Sequence, residues 1–440
     1  MTRPTPQGRS HARFLAVALC SATIVVDGYD LIVYGTVLPT LLGGGAEWTL
    51  SAAEAGRIGS YTLIGMLIGA LLIGTVTDIF GRRRIMMACT LWFSAAMFLA
   101  AAAPNPDLFG LARLVAGVGL GGVVPTAIAL TVEYAHPQRQ NATNALMFSG
   151  YPTGGIVAAL SAIWIIPEFG WRAMFTAGGA LGLVLLPLMW FKLPESASYL
   201  LNRGRRAEAE ALAARFDLTL EEPVHSTGAA KPSALSGLRT LFSGRYVVAT
   251  LLFWVATAFG LLLVYGLNTW LAQIMRKAGY GLGSSLAFLI ALNLGAIIGT
   301  PLLGRLADRV GAKKVSAGMF LTAAACIWAL SYNLPPAVLY ALVAVAGACT
   351  IGTTIIVNSY TATFYPAHMR ATALGWSLGI GRLGAILGPL YGAFVINSGW
   401  GLSANFYAFA IPAALGMLVM LAIPAARRNE PVPELQTAGT

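Results

Sequence analysis

The sequence predicts an all-α membrane protein of twelve transmembrane helices in two pseudo-symmetric six-helix halves, and three observations carry that prediction. Of 440 residues, 57% are hydrophobic and 10% are charged. A soluble domain carries roughly 25% charged residues, so this chain cannot cover a water-facing surface. Apolar runs of about 20 residues, the length that crosses a bilayer, recur along it. A loop motif of the first half returns 230 residues later in the second. The same composition excludes secreted, fibrous and nucleic-acid-binding classes.

Apolar runs bounded by charges or Pro/Gly turns place the spans at 14–42, 55–77, 85–103, 107–132, 142–166, 171–191, 246–272, 284–304, 315–333, 336–361, 371–396 and 402–424. The amino terminus up to Arg13 is polar and basic. The run behind it holds Asp27 and Asp30 and has no small-residue cleavage site, so it reads as a retained first span. Spans two and three are joined by Gly74-x-x-x-Asp78-x-x-Gly81-x-Arg83-Arg84, and spans eight and nine by Gly304-x-x-x-Asp308-x-x-Gly311-x-Lys313-Lys314, at an offset of 230. That offset also carries Thr131 onto Thr361, and Gly150 onto Ile380 between Gly379 and Gly381. Duplication of a six-helix unit is the economical explanation. Residues 1–192 form the amino-terminal half and 246–426 the carboxyl-terminal half, with 427–440 a cytoplasmic tail. Residues 193–245, the one long polar stretch, read as a cytoplasmic linker with a short amphipathic helix around Arg205 to Phe216.

Charge follows this topology. The net +11 comes from 28 Lys and Arg, of which 22 lie in the two tails and the even-numbered connections. Arg57, Arg172, Arg276 and Lys277 fall on the other side. The positive-inside rule then places both termini in the cytoplasm of a cell (inner) membrane. Cys20, Cys89, Cys326 and Cys349 sit far apart in apolar runs and read as packing residues. The chain has neither a phosphate-binding G-x-x-x-x-G-K-[ST] nor H-E-x-x-H. No cofactor or metal is expected, and the energy source is an ion or substrate gradient.

On these residues the chain resembles the major facilitator superfamily over nearly its whole length, through the paired span 2/3 and span 8/9 loops. Within it, Asp27-Gly28-Tyr29-Asp30 with Gly35 and Pro39 resembles the aromatic acid:proton symporter family. So do Glu133-Tyr134 with Pro137 and Arg139, Leu193-Pro194-Glu195-Ser196, Asn268-Thr269-Trp270-Leu271 and Gly381-Arg382-x-Gly384-Ala385-x-x-Gly388-Pro389. The resemblance implies a secondary transporter, not an enzyme, working by alternating access as a monomer. Its implied partners are a proton and a small aromatic carboxylate such as benzoate or a hydroxybenzoate, with no nucleic acid. Ile79 and Ala312 stand where the loop pattern has Arg. The rivals are a non-aromatic acid, sugar or exported drug as substrate, a transport-dead sensor, and an intramembrane enzyme.

Chemistry is sought where charge lies at membrane depth. Asp27 and Asp30, three apart in span one, share a helix face near mid-bilayer. An unpaired carboxylate there costs about 2.5 kcal/mol or more. Two close carboxylates resist double ionisation, which is what a proton carrier needs. The alternative is that both pair with the buried arginines and only fix packing. Arg113 in span four and Arg382 in span eleven are the basic residues placed inside the hydrocarbon. A guanidinium stays charged and grips a carboxylate through two parallel hydrogen bonds, so Arg382 is the candidate substrate ligand. Arg113 either tunes the aspartates or pairs with them. The offset carries Asp27 and Asp30 onto Thr257 and Gly260, so the second half supplies neutral groups. Tyr265, Asn268, Trp270, Asn293, Asn358 and Trp376, with Tyr34 in span one, are candidates to bond or stack on a ring. Asp78, Arg82, Arg83, Glu133, Arg139, Asp308 and Arg309 are candidates for a cytoplasmic gate.

Overall fold

The structure, a computed structural model, describes residues 6–44, 47–216, 218, 241–242 and 246–424. Fifteen α-helices and no strand occur among the described residues. They are α1 (Pro6–Leu42), α2 (Ala52–Phe80), α3 (Arg82–Ala102), α4 (Pro106–Tyr134), α5 (Gln140–Phe148), α6 (Gly150–Phe169), α7 (Trp171–Lys192), α8 (Ala197–Asn202), α9 (Arg206–Phe216), α10 (Val247–Lys277), α11 (Leu282–Val310), α12 (Ala312–Ala329), α13 (Pro336–Phe364), α14 (Ala367–Asn397) and α15 (Leu402–Ala422).

Local chemistry explains several boundaries. Ser51 and Glu54 form a reciprocal capping box at the start of α2, and Asn105 caps the Leu108 amide with Pro106 opening α4. Span five, expected as one helix, is two that meet at Ser149. Pro152 has no amide to offer the Phe148 carbonyl, so the ladder is interrupted there. α1 starts well before the expected span, inside the basic tail. Eleven segments among the described residues are long and apolar enough to cross a membrane. The exception among the expected spans is the ninth, now α12: it is 18 residues long and carries Lys313 and Lys314 in its first turn. It still packs between α13 and α15 as a member of the bundle.

Large apolar side chains such as Leu71, Trp164, Phe191, Phe394 and Trp400 stand exposed on the outer faces, as lipid contact requires. The expected duplication is visible in the packing. A Cβ on Gly65 would strike the Leu114 carbonyl, and one on Gly117 the Thr62 carbonyl, so α2 and α4 run backbone to backbone. In the other half Gly295 meets the Ala344 carbonyl and Gly347 the Leu292 carbonyl, each residue 230 further on. Gly81 and Gly311, at φ 96° and 102°, make the same turn into α3 and α12.

The two halves touch mainly toward one end of the bundle. Gly56 and Gly59 of α2 lie against Pro389 and Ala393 of α14, Ser60 donates its hydroxyl to the Ile386 carbonyl at 2.6 Å, Gly35 of α1 meets Asn268 of α10, and Gly155 of α6 meets Asn293 of α11. At the end that carries the termini, Gly304, Gly375 and Gly379 have nothing within 4 Å, and a cavity opens beside Arg13 and Phe14. The structure is therefore open at the terminus end and closed at the other.

The described residues of 193–218 are folded onto the amino-terminal half, whereas Leu241 and Phe242 pack on α10. Ala197, Leu200, Ala209, Ala213 and Phe216 are buried, and the Phe216 ring stands edge-on to Tyr134. The amphipathic helix expected around Arg205 is α9. The rest of that stretch and the tail over 427–440 lie outside the described residues.

Candidate functional site

α1 carries both aspartates into the middle of the bundle, and its position is set by close approach to α6. Gly28 lies on the Tyr151 backbone, where any side chain would collide. Asp30 and Asp27, with side chains buried at 0% and 2% exposure, have different surroundings. Asp30 accepts a charge-assisted hydrogen bond from Arg113 on Oδ1, and the second Arg113 Nη donates to the Asp30 carbonyl at 2.9 Å. Arg113 is itself 1% exposed, with its guanidinium 5.6 Å from the centre of the Phe175 ring. Phe109, Trp171 and Phe175 pack edge to face behind it. Asp30 is thus locked in a buried ion pair, which gains stability only while both partners are present.

Asp27 has no ion pair among the described residues, and its buried Oδ1 has no hydrogen-bond partner. Arg382 of α14, half-buried, likewise has no ion pair among the described residues. It lies within electrostatic reach of Asp27 and of Tyr265. Tyr151, whose buried hydroxyl lacks a partner, and Tyr265 pack against the same buried cluster, which joins the two halves. A cavity of about 740 Å³ at the terminus end is lined by Arg13, Phe14, Val17, Ser21 and Val25 of α1 with Tyr134 and Thr153, all of the amino-terminal half, and Asp27 does not line it.

Several expected ligand groups are engaged elsewhere. Tyr34 donates to the Ala55 carbonyl at 2.7 Å and leans on Phe109. Trp270 is fully buried and donates to the Pro389 carbonyl at 2.8 Å. Asn268 donates to the Val264 carbonyl at 2.8 Å and accepts from Asn293 at 3.2 Å. These four sit at or beside the closed contacts between halves, so in this state they seal rather than line. Asn293 and Asn358 each keep a buried side-chain oxygen without a partner. Trp376, 37% exposed, stacks on Trp254 at 6.0 Å between ring centres.

Among the described residues, the candidate gate is assembled in the amino-terminal half only. Arg82 pairs with Glu133 at 3.0 Å, and the same Glu133 oxygen accepts from the Ser196 hydroxyl at 2.8 Å. Arg83 bonds the Trp190 carbonyl through its side chain. Arg139 is exposed, and Glu133 takes Arg82 rather than this expected partner. Asp308 and Arg309 are exposed, with no ion pair among the described residues, and the side chain of Asp78 lies outside the described residues.

Two residues the sequence did not single out as site residues matter here. Glu195 accepts from the Arg83 amide at 2.9 Å and so caps α3, whose own cap position is Gly81 with no side chain to offer. Tyr134 donates to the Glu195 carbonyl at 2.6 Å. Tyr151 is the other. Leu193-Pro194-Glu195-Ser196 and the glycine-flanked Tyr151-Pro152 were visible signals without an assigned partner. The four cysteines are buried and free, as packing residues are.

Comparison with known proteins places this geometry. The model of the Major Facilitator Superfamily matches residues 20–315 and 287–439. The benzoate transport protein of Acinetobacter baylyi is 37% identical over 432 residues, covering 95% of this chain and 91% of that protein. The gentisate transporter of Corynebacterium glutamicum is 36% identical over 94% of this chain and 88% of its own length. Among solved structures, the inward-open xylose transporter XylE of E. coli superposes with a TM-score of 0.75 at 16% identity, covering 95% of this chain and 98% of that one.

Proposed function

The chain belongs to the Major Facilitator Superfamily, whose members here are transporters and not enzymes, and from that premise we propose that it is a proton-coupled symporter taking up a benzoate-like aromatic carboxylate. The observation that carries the reading is Arg382: a half-buried guanidinium in the span of α14 without an ion pair among the described residues. Guanidinium binds a carboxylate bidentately, and a cation left unpaired at this depth is costly unless an anion visits it. The identity of about 37% with a benzoate transport protein supports the ring. Unpartnered polar atoms on Tyr151 and Asn358 offer hydrogen bonds to ring substituents.

Both termini lie in the cytoplasm of the inner membrane, supported by the 22 of 28 basic residues on that side, so the open end faces inward. Residues 1–192 and 246–426 are the rocking units of a functional monomer, and 193–245 the linker. Asp27, Asp30 and Arg113 form the proton-linked group, and the Arg82–Glu133 cluster belongs to the cytoplasmic gate. No cofactor takes part; the proton gradient supplies the energy. Two aspartates and two arginines sum to zero, so one monoanion with one proton keeps the site neutral and transport electroneutral.

The test is uptake of labelled benzoate and hydroxybenzoates into proteoliposomes under an inward proton gradient, with Arg382→Ala beside the parent chain. The expected result is gradient-driven accumulation that falls at least about 100-fold in the variant, the loss of two charge-assisted hydrogen bonds. Failure of a folded parent chain to accumulate any aromatic acid returns the substrate to another organic acid, a sugar or an exported drug. Strong dependence on an imposed potential at fixed pH refutes electroneutrality.

A further inference from the structure

We propose that the outward-facing groove between α3 and α7 is a binding site for one anionic phospholipid, with an acyl chain laid along the groove and the phosphate held by Arg84. The site is independent of what the protein carries.

Arg84, Met87, Ala88 and Leu91 lie three or four residues apart on α3, and Leu183, Leu186, Pro187 and Trp190 keep the same spacing on α7. Each set is one stripe of its helix, and together they line a groove of about 590 Å³. Further toward the middle of the bundle the two helices close up. A Cβ on Gly182 would strike the Ser94 hydroxyl, and one on Gly179 the Phe98 ring. The groove therefore ends there and reaches Arg84, in the first turn of α3, at the terminus end. Its length is about 10 Å of helical rise in a leaflet about 15 Å deep. Leu91, Leu183 and Trp190 are exposed, so it opens to lipid and not to the bundle interior. An alkyl chain fits such a slot lengthwise. A partner helix crossing the membrane needs about 20 residues of matching stripe, far more than two turns supply.

Charge selects the headgroup. Neither α3 nor α7 contains an acidic residue. Of the three arginines that open α3, Arg82 is taken by Glu133, and Arg83 bonds the Trp190 carbonyl with its guanidinium 5.9 Å from the centre of the Trp190 ring. Arg84 is exposed at the mouth of the groove and has no ion pair among the described residues. A guanidinium grips a phosphate through two parallel hydrogen bonds, and a tryptophan sits by preference at the headgroup level of a bilayer. One cation over an otherwise apolar slot matches a ligand with an anionic head and a long apolar tail.

The second half supplies the contrast. At the offset of 230, Lys314 stands in place of Arg84, but Leu183, Leu186 and Trp190 become Ala413, Gly416 and Met420, all buried. The Phe320 ring fills the space that a Cβ on Gly416 would need. α12 and α15 close over that place, and Lys314 remains a surface cation.

Native mass spectrometry of the detergent-purified full chain, titrated with phosphatidylglycerol or with phosphatidylcholine of the same acyl chains, decides it. The parent chain should hold one phosphatidylglycerol about fivefold more tightly than phosphatidylcholine, the effect of one basic residue at a membrane surface. Arg84→Gln should erase that preference. Ala88→Phe puts a ring into the groove and keeps every charge, and it should weaken both lipids by about tenfold, the loss of roughly two buried methylenes. Both variants change exposed residues, so the fold is not at stake. Lys314→Gln, the matching cation without the slot, should leave both affinities as they are. A preference kept in Arg84→Gln, or lost equally in Lys314→Gln, overturns the assignment of the headgroup to Arg84. Unchanged affinities in Ala88→Phe overturn the groove as the place of the chain. A protein dimer that phosphatidylglycerol does not dissociate and Ala88→Phe does would give the groove to a second copy and overturn the lipid.

Discussion

The two halves of the bundle pack alike and are charged differently. Gly65 against Leu114 and Gly117 against Thr62 in the first half recur, 230 residues on, as Gly295 against Ala344 and Gly347 against Leu292. The polar positions do not recur. Asp27 has become Thr257, whose hydroxyl lies 2.9 Å from that of Ser377. Asp30 has become Gly260, and Arg113 has become Val343, a buried core residue. Conversely Arg382 answers to Pro152 in the first half. The loop follows the same rule: Pro194-Glu195 corresponds to Pro424-Ala425, no carboxylate caps the second loop among the described residues, and a Cβ on Gly311 would meet nothing within 4 Å. The repeated glycines hold two helices backbone to backbone within each half, so duplication preserved them while the charges diverged.

The largest effect that tests this contrast is at the locked pair. Asp30→Asn should cost about 3–5 kcal/mol, since it leaves Arg113 charged in an apolar wall. Adding Arg113→Gln should recover most of it, and thermal unfolding of the detergent-solubilised protein reads both. Thr257, in the matching place, should show no such penalty when changed to Val. Equal losses at Asp30 and Thr257 would break the contrast.

A middle-sized effect sharpens the likeness. Gly117→Val and Gly347→Val each drive a side chain into a facing carbonyl, so each should destabilise by about 1–3 kcal/mol or more, and by similar amounts. A marked difference between them would mean that the halves are not packed as one unit repeated.

The smallest effect concerns the loops. Glu195→Gln weakens the cap on α3 and should cost about 0.5–2 kcal/mol, seen as faster hydrogen exchange of the Arg83 to Met86 amides. Exchange at the matching Lys313 to Ser316 amides should not respond, because no carboxylate caps that helix among the described residues.

What the sequence by itself determined is what is written along one dimension. Hydropathy set the spans, the basic residues set their bias, the 230-residue register exposed the repeat, and the depth of Asp27, Asp30, Arg113 and Arg382 follows from counting along helices. The exceptions were local: Pro152 divides span five, and two lysines make α12 the least apolar of the expected spans. What only the tertiary structure decided is which of these groups meet. Asp30 and Arg113 are 83 residues apart, and no periodicity says that they pair while Asp27 and Arg382 have no ion pair among the described residues. Tyr34 and Trp270 look like ring-binding groups in sequence, yet their polar atoms go to the carbonyls of Ala55 and Pro389. Hydrogen-bond capacity is a property of the side chain, but whether that capacity is free depends on the helix packed against it, and that is fixed only when the bundle closes.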